Sequence, residues 1–185
     1  MRAEALERYR ALPLPTTSDE HWRFTDLRGF DPESFSANGA KGAESAGSML
    51  EIETSGVANV SEGGIQIERA PEGVVFEPLE EGHELLGTLV GSDEKFAAHN
   101  AAAWKHGLLV RVPAGVEVTQ PLYVRVTGSF ADAAQFWRLL IVADEGARFS
   151  FIEEHASAAP ELGGYSNSVA ELFIGDGAKL EYVSI

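Results

Sequence analysis

Residues 108–118, LLVRVPAGVEV, decide the fold because the pattern recurs as LLIVADEGARF at 139–149 and AELFIGDGAKL at 170–180. The three stretches align on Gly115, Gly146 and Gly177, which are 31 residues apart each time (146 − 115 and 177 − 146). Around each glycine an apolar run comes first: Val110 and Val112, then Ile141 and Ala143, then Leu172 and Ile174. A tight turn follows, and an alternating segment leads away. Each unit therefore predicts a strand, a glycine corner and a strand. A fixed period with one such unit per repeat points to a solenoid, because a single unit cannot bury its apolar face alone and must stack on the next copy. All-strand units of this kind stack as a β-helix. A β-sandwich or barrel, in which glycine turns also recur, is the competing architecture.

The last copy, GDGAKLEYVSI (175–185), sets Ala178, Leu180 and Tyr182 on one face and Lys179, Glu181 and Val183 on the other. An uncapped solenoid exposes a strand edge and apolar positions. The expectation is a truncated solenoid whose final strand either pairs with a second copy in a homodimer or is disordered.

Upstream, AEALERYRAL (3–12) has helix-forming composition and is stopped by PLP. In TTSDEHWRFTDLRGF, Thr17 and Glu20 fit a capping box for a second helix running to about Leu27, with Trp22 and Phe24 as anchors and Arg23 and Asp26 spaced to pair. Residues 36–48, SANGAKGAESAGS, hold almost nothing that can be buried and predict a mobile linker. Short strand-like runs follow: MLEIET, GIQIERA and GVVFEPL. EEGHELLGTLV suggests a turn of helix. SDEKFAAHNAAAWKHG predicts a helix with Ser92 as N-cap, the stripe Phe96, Asn100 and Trp104, and Gly107 just past its end. The chain thus divides into a helical segment (1–35), a linker with short strands (36–64), a mixed α/β region ending in a helix (65–106) and the first coils of the β-helix core (107–185).

Fourteen Lys and Arg against 29 Asp and Glu give a net charge of −15, a field that repels phosphate backbones and anionic lipid. Nucleic acid and membrane are therefore not expected as partners. With no cysteine, disulfides, thiolate nucleophiles and cysteine-ligated zinc or iron–sulfur centres are excluded from these residues. A charged N-terminus, MRAEALERYR, and apolar runs no longer than RLLIVA lead to the expectation of a cytoplasmic protein.

Candidate chemistry is sparse. Gly107, Pro113 and Gly115 have the spacing of the second cupin motif, but Val118 stands where the metal-binding histidine belongs and no His-x-His pair occurs. Glu153 and His155 share one face of a strand with Glu154 on the other, and a solvated strand end accounts for them. Asp19 to His21 suit a helix start. His99 and His106 lack a third ligand, and GDGAK lacks the third glycine and helix of a dinucleotide loop. No Walker A sequence and no G-x-S-x-G elbow is present. No catalytic, cofactor-binding or metal-ligating residue is assigned, and a scaffold is favoured over an enzyme; the enzymatic alternatives are a metal-dependent cupin-like barrel and, more distantly, a carbohydrate-active β-helix.

LPLPTTSDEHWRFTDL resembles the N-terminal signature of the SufD proteins, in the SufB/SufD family of the SUF iron–sulfur cluster assembly system. Pro15, Thr16, Asp19, Glu20, Trp22, Arg23, Phe24, Thr25, Asp26 and Leu27 satisfy the pattern P-T-x-x-D-E-x-W-R-[YF]-T-D-L. HNAAAWKHGLLVRVPAGVEVTQPLYV, RLLIVADEGARFSFIEEH and NSVAELFIGDGAKLEYVSI resemble the opening of the core shared by SufB and SufD. The resemblance implies a right-handed parallel β-helix and a non-catalytic scaffold role beside a SufB-like partner and a SufC-like ATPase, with no cofactor in this stretch. SufB itself is the nearest alternative. It also implies a fragment, since the family's cluster-site histidine and SufC-binding helices lie in a C-terminal portion not represented here.

Overall fold

The computed structural model describes residues 2–36, 50–129 and 131–185. The chain is mostly β, with two helices and two mixed sheets. Helix α1 spans Arg2–Ala11 and α2 spans Lys95–Ala103; the strands are β1 (Gly56–Ser61), β2 (Gly64–Arg69), β3 (Val75–Pro78), β4 (His106–Val112), β5 (Leu122–Gly128), β6 (Ala133–Ala143), β7 (Arg148–Ser157), β8 (Gly164–Ile174) and β9 (Lys179–Ser184). One sheet has the order β2-β1-β5-β7-β9 and the other β3-β4-β6-β8. Among the described residues no closed barrel forms.

From β4 onward the chain alternates between the sheets, and every pairing among these strands is parallel. The 31-residue period is the register itself: His106 pairs with Trp137, Trp137 with Ser168, and Phe151 with Tyr182. One pairing departs from it. Glu117 still bridges Arg148, yet Leu122 pairs with Phe151, a stagger of 29 (151 − 122), so the first unit carries two extra residues between its corner and β5.

The corners explain the glycines. Gly115, Gly146 and Gly177 have φ of +70°, +69° and +67°, a left-handed conformation that side chains disfavour. Each closes a turn (Val116 N to Pro113 O, Ala147 N to Asp144 O, Ala178 N to Gly175 O), and each corner bonds to the next through Gly115 N to Glu145 O and Gly146 N to Asp176 O.

Between the sheets, Leu108, Val110, Val112, Trp137, Leu139 and Ile141 of one meet Leu122, Val124, Val126, Phe149 and Phe151 of the other. All eleven residues of β6 are buried, because its second face is covered by the N-terminal layer. There Leu79, Trp104, Leu109, Phe136, Leu140 and Tyr165 form a second core with Phe30, Phe35 and Phe96 against it. Tyr9 of α1 stacks on His99 of α2 at 3.9 Å, and Lys95 Nζ donates to Tyr9 O and Leu12 O, the open carbonyls at the end of α1.

Several local expectations are corrected. The helix expected over 17–27 is one 3-10 turn at Glu20–Trp22, because Asp19 accepts from the backbone N–H and hydroxyl of Thr16 and closes a loop instead of capping a helix. Trp22 does pack on Phe96, 5.1 Å between rings, but Phe24 is 88% exposed with Arg23 over its ring, and Asp26 pairs with Arg28 instead of Arg23. Residues 50–54 of MLEIET are not a strand; β1 begins at Gly56. EEGHELLGTLV makes successive tight turns. The N-cap of α2 is Glu94, not Ser92, with Asp93 drawn into a pair with Arg8. Gly107 lies inside β4, where a Cβ would sit 2.8 Å from Arg138 O. The expected linker lies, from residue 37, outside the described residues; Ser36 is tied to Ala133 by a parallel bridge.

Candidate functional site

β7 carries the chemistry. Its period of two sends Phe149 and Phe151 into the inter-sheet core, and Glu153 and His155 continue that face. Glu153 is 3% exposed. Across the core it accepts from Trp137 Nε1 at 2.6 Å; along its own sheet it accepts from the Tyr182 hydroxyl and meets His155 Nε2 at 3.1 Å. Burial alone pushes the Glu153 carboxyl up, but hydrogen bonds from His155 and Tyr182, the charge of His155 and the bond from Trp137 outweigh it and hold the group below its ordinary value. Glu153 is thus a buried carboxylate. It pushes the Tyr182 phenol up in turn, adding to the effect of burial.

Glu154, on the opposite face, is fully buried and is held by the Tyr123 hydroxyl and by Arg125 Nε at 3.2 Å. The solvated strand end expected for these residues is therefore corrected: both carboxylates are inside, because each faces donors from neighbouring strands that repay the loss of water. His155 stays partly exposed and lines a cleft of about 210 Å³ together with Glu62, Gln135 and Ser166. The inter-sheet space therefore passes from an apolar interior to a polar end.

A second buried network lies on the outer face of β6 and β8. Arg138 and Glu171, 3% and 1% exposed at their side chains, meet at 3.3 Å. Arg138 Nε also donates to Asn100 Oδ1 at 2.7 Å, and Asn100 Nδ2 donates to the carbonyls of Trp137 and Asn167. Glu171 accepts from the backbone N–H groups of Gly87, Leu89 and Val90 at 2.8, 2.9 and 3.1 Å. One carboxylate thus fastens the 87–90 turns to the sheet, and one arginine links that carboxylate to α2. Burial pulls the Arg138 pKa down against the opposing pull of Glu171.

The remaining candidates stand apart. His99 stacks on Tyr9 and meets Phe136 edge-on, and burial lowers its pKa to about 4. His106 opens β4, with its pKa lowered first by burial and then by Lys105, against a hydrogen bond to the Glu62 backbone. Asp19 to His21 lie in the exposed turn. Val118 is packed against the inter-sheet core, and Pro113–Gly115 is the strand corner. Among the described residues, no three His, Asp or Glu side chains gather as metal ligands. Sequence reasoning missed Arg138, Glu171, Trp137 and Tyr182. The signal was present: an arginine within the unbroken apolar run FWRLLIV demands a buried partner, and the 31-residue register places Glu171 two residues past the position opposite it.

This polar furniture falls mainly in the last third of the chain. Residues 125–185 match the SUF system FeS cluster assembly SufBD core domain. Iron–sulfur cluster assembly SufBD family proteins of Staphylococcus epidermidis and Staphylococcus haemolyticus are each 29% identical to the chain over 123 residues, covering 62% of it and 26% of the relative. One from Staphylococcus aureus gives the same identity and coverage. The comparisons support the SufB/SufD family. In each case the match spans about a quarter of the relative's length. The matched residues contain Arg138, Glu153, Glu154, Glu171 and Tyr182, whereas Asn100 and Tyr123 precede them.

Proposed function

We propose that this chain is a scaffold subunit of the SUF machinery for iron–sulfur cluster assembly, of the SufD type. It acts through protein contacts with a SufB-like partner and a SufC-like ATPase; the cluster is its cargo and it runs no reaction of its own. The observation that carries the reading is the coincidence of the SufBD-core match with strands stacked at the 31-residue period. The P-T-x-x-D-E-x-W-R-F-T-D-L signature at residues 15–27 favours SufD over SufB.

The proposed fold is the start of a right-handed parallel β-helix. Alternation of parallel strands between two sheets supports the solenoid, and the near-universal right-handedness of crossovers between parallel strands supports its hand. Buried Glu153, Glu154 and Glu171 then act as internal struts that fix strand register. Among the described residues no helix is long and apolar enough to cross a membrane, and the proposed place of action is the cytoplasm. β9 ends its sheet, and its outer edge is the proposed contact for another chain, a second copy included.

The test is co-elution on size exclusion of the full-length protein with SufB-like and SufC-like proteins from the same source. A shared peak of defined stoichiometry is expected; separate elution at micromolar concentrations removes the proposal's main support.

A further inference from the structure

We propose that the cleft at the polar end of the inter-sheet core is a binding site for an alkylammonium or alkylguanidinium group. Glu62, in the β1–β2 turn, lines this cleft. Its Oε1 accepts from Ser129 N at 2.8 Å, but its Oε2 is buried and has no hydrogen-bond partner among the described residues. A carboxylate oxygen only accepts, so an external donor is what it lacks. A second acceptor lines the same cleft. Gln135 uses its Nε2 to donate to Thr127 O at 3.1 Å, which leaves its amide oxygen.

A carboxylate oxygen and an amide oxygen on one cleft call for a ligand rich in N–H donors, and an ammonium offers three and a guanidinium five. The remaining walls include Val126, Ala156 and Leu162, apolar surface for an alkyl stem. A metal ion is the poorer occupant, because no three His, Asp or Glu side chains gather among the described residues. Space is provided by Gly128, where an added Cβ would meet nothing nearer than Ala156 O at 3.9 Å.

The group can arrive on a free small molecule or on the basic side chain of a partner protein, and two probes separate these sources: agmatine for the first and acetyl-Gly-Arg-Gly-amide for the second, with n-butanol as the neutral control. Amide NMR spectra of the protein are followed during titration. Saturable shifts at Gly128, Ser129 and Ser157 are expected with a cationic probe and not with butanol, and the tighter probe identifies the source. Glu62→Gln should weaken binding at least tenfold. Gly128→Val, which fills the cleft without touching a charge, should abolish it while the rest of the spectrum stays folded. The proposal is overturned if neither cation gives saturable shifts, if butanol matches them, or if either folded variant binds as the wild type does.

Discussion

Arg138→Met keeps most of the length of a buried side chain while deleting its charge and donors, so it isolates what the Arg138–Glu171 network contributes. Two losses follow. Asn100 Oδ1, fully buried, loses the Nε donor at 2.7 Å, and an unsatisfied buried acceptor costs about 1–3 kcal/mol. Glu171 loses its counter-charge, and breaking a buried pair from one side costs about 3–5 kcal/mol. Both losses come from one guanidinium and overlap, and Glu171 keeps its three backbone donors, so the expected total is about 3–5 kcal/mol. Against a domain stability of about 5–15 kcal/mol, that is a large fraction. Urea unfolding at pH 7 measures it through the shift in midpoint at constant slope. Glu171→Met should cost a similar amount and also free the 87–90 turns, seen as faster amide exchange at Gly87, Leu89 and Val90. The double variant, with no charge left unpaired, should cost at least about 1 kcal/mol less than the two singles added together. A wild-type midpoint for Arg138→Met, or strict additivity, would refute the view that this network carries its charge as a coupled pair.

Further outcomes follow from particular contacts. His99 has a folded pKa of about 4 against an ordinary 6.5, so the unfolded chain binds the extra proton first; stability is complete above about pH 6.5 and falls as pH drops toward 4. With its partial exposure discounted, the loss is about 1–2 kcal/mol, and His99→Phe should flatten that part of the stability–pH curve while keeping the stack on Tyr9. Gly107→Ala should lower stability by about 1–3 kcal/mol, since its Cβ would press on Arg138 O at 2.8 Å and on Leu79 at 3.1 Å. Glu153→Gln should bring the Tyr182 phenol closer to its ordinary pKa, read by ultraviolet titration, because the carboxylate adds to the effect of burial there.

The repeat was legible because its cause is periodic: a left-handed corner needs glycine, and stacked corners need it at equal intervals, so Gly115, Gly146 and Gly177 announce the register directly. α1 was legible from its helix-forming composition and the PLP stop, and α2 from the spacing of Phe96 and Asn100, with Trp104 capping its end. The segment after Thr16 was misread because the Thr17–Glu20 spacing does not reveal what lies between them; the Asp19 carboxylate turns back to Thr16 and closes a loop. The carboxylates of β7 were misread because burial of a charge depends on donors from other strands. Trp137 lies 16 residues before Glu153 and Tyr182 lies 29 after it, and only the paired register brings them together. Glu171 illustrates the same limit, since its backbone donors come from residues more than 80 positions earlier.

The proposed role is participation in cluster assembly as a scaffold. Its most direct measurement is reconstitution of iron–sulfur cluster formation on a SufB-like and SufC-like pair from the same source, with and without the full-length protein, followed by the visible absorbance of the cluster. Cluster yield is expected to depend on adding this protein in stoichiometric amount. Equal yield in its absence would contradict it.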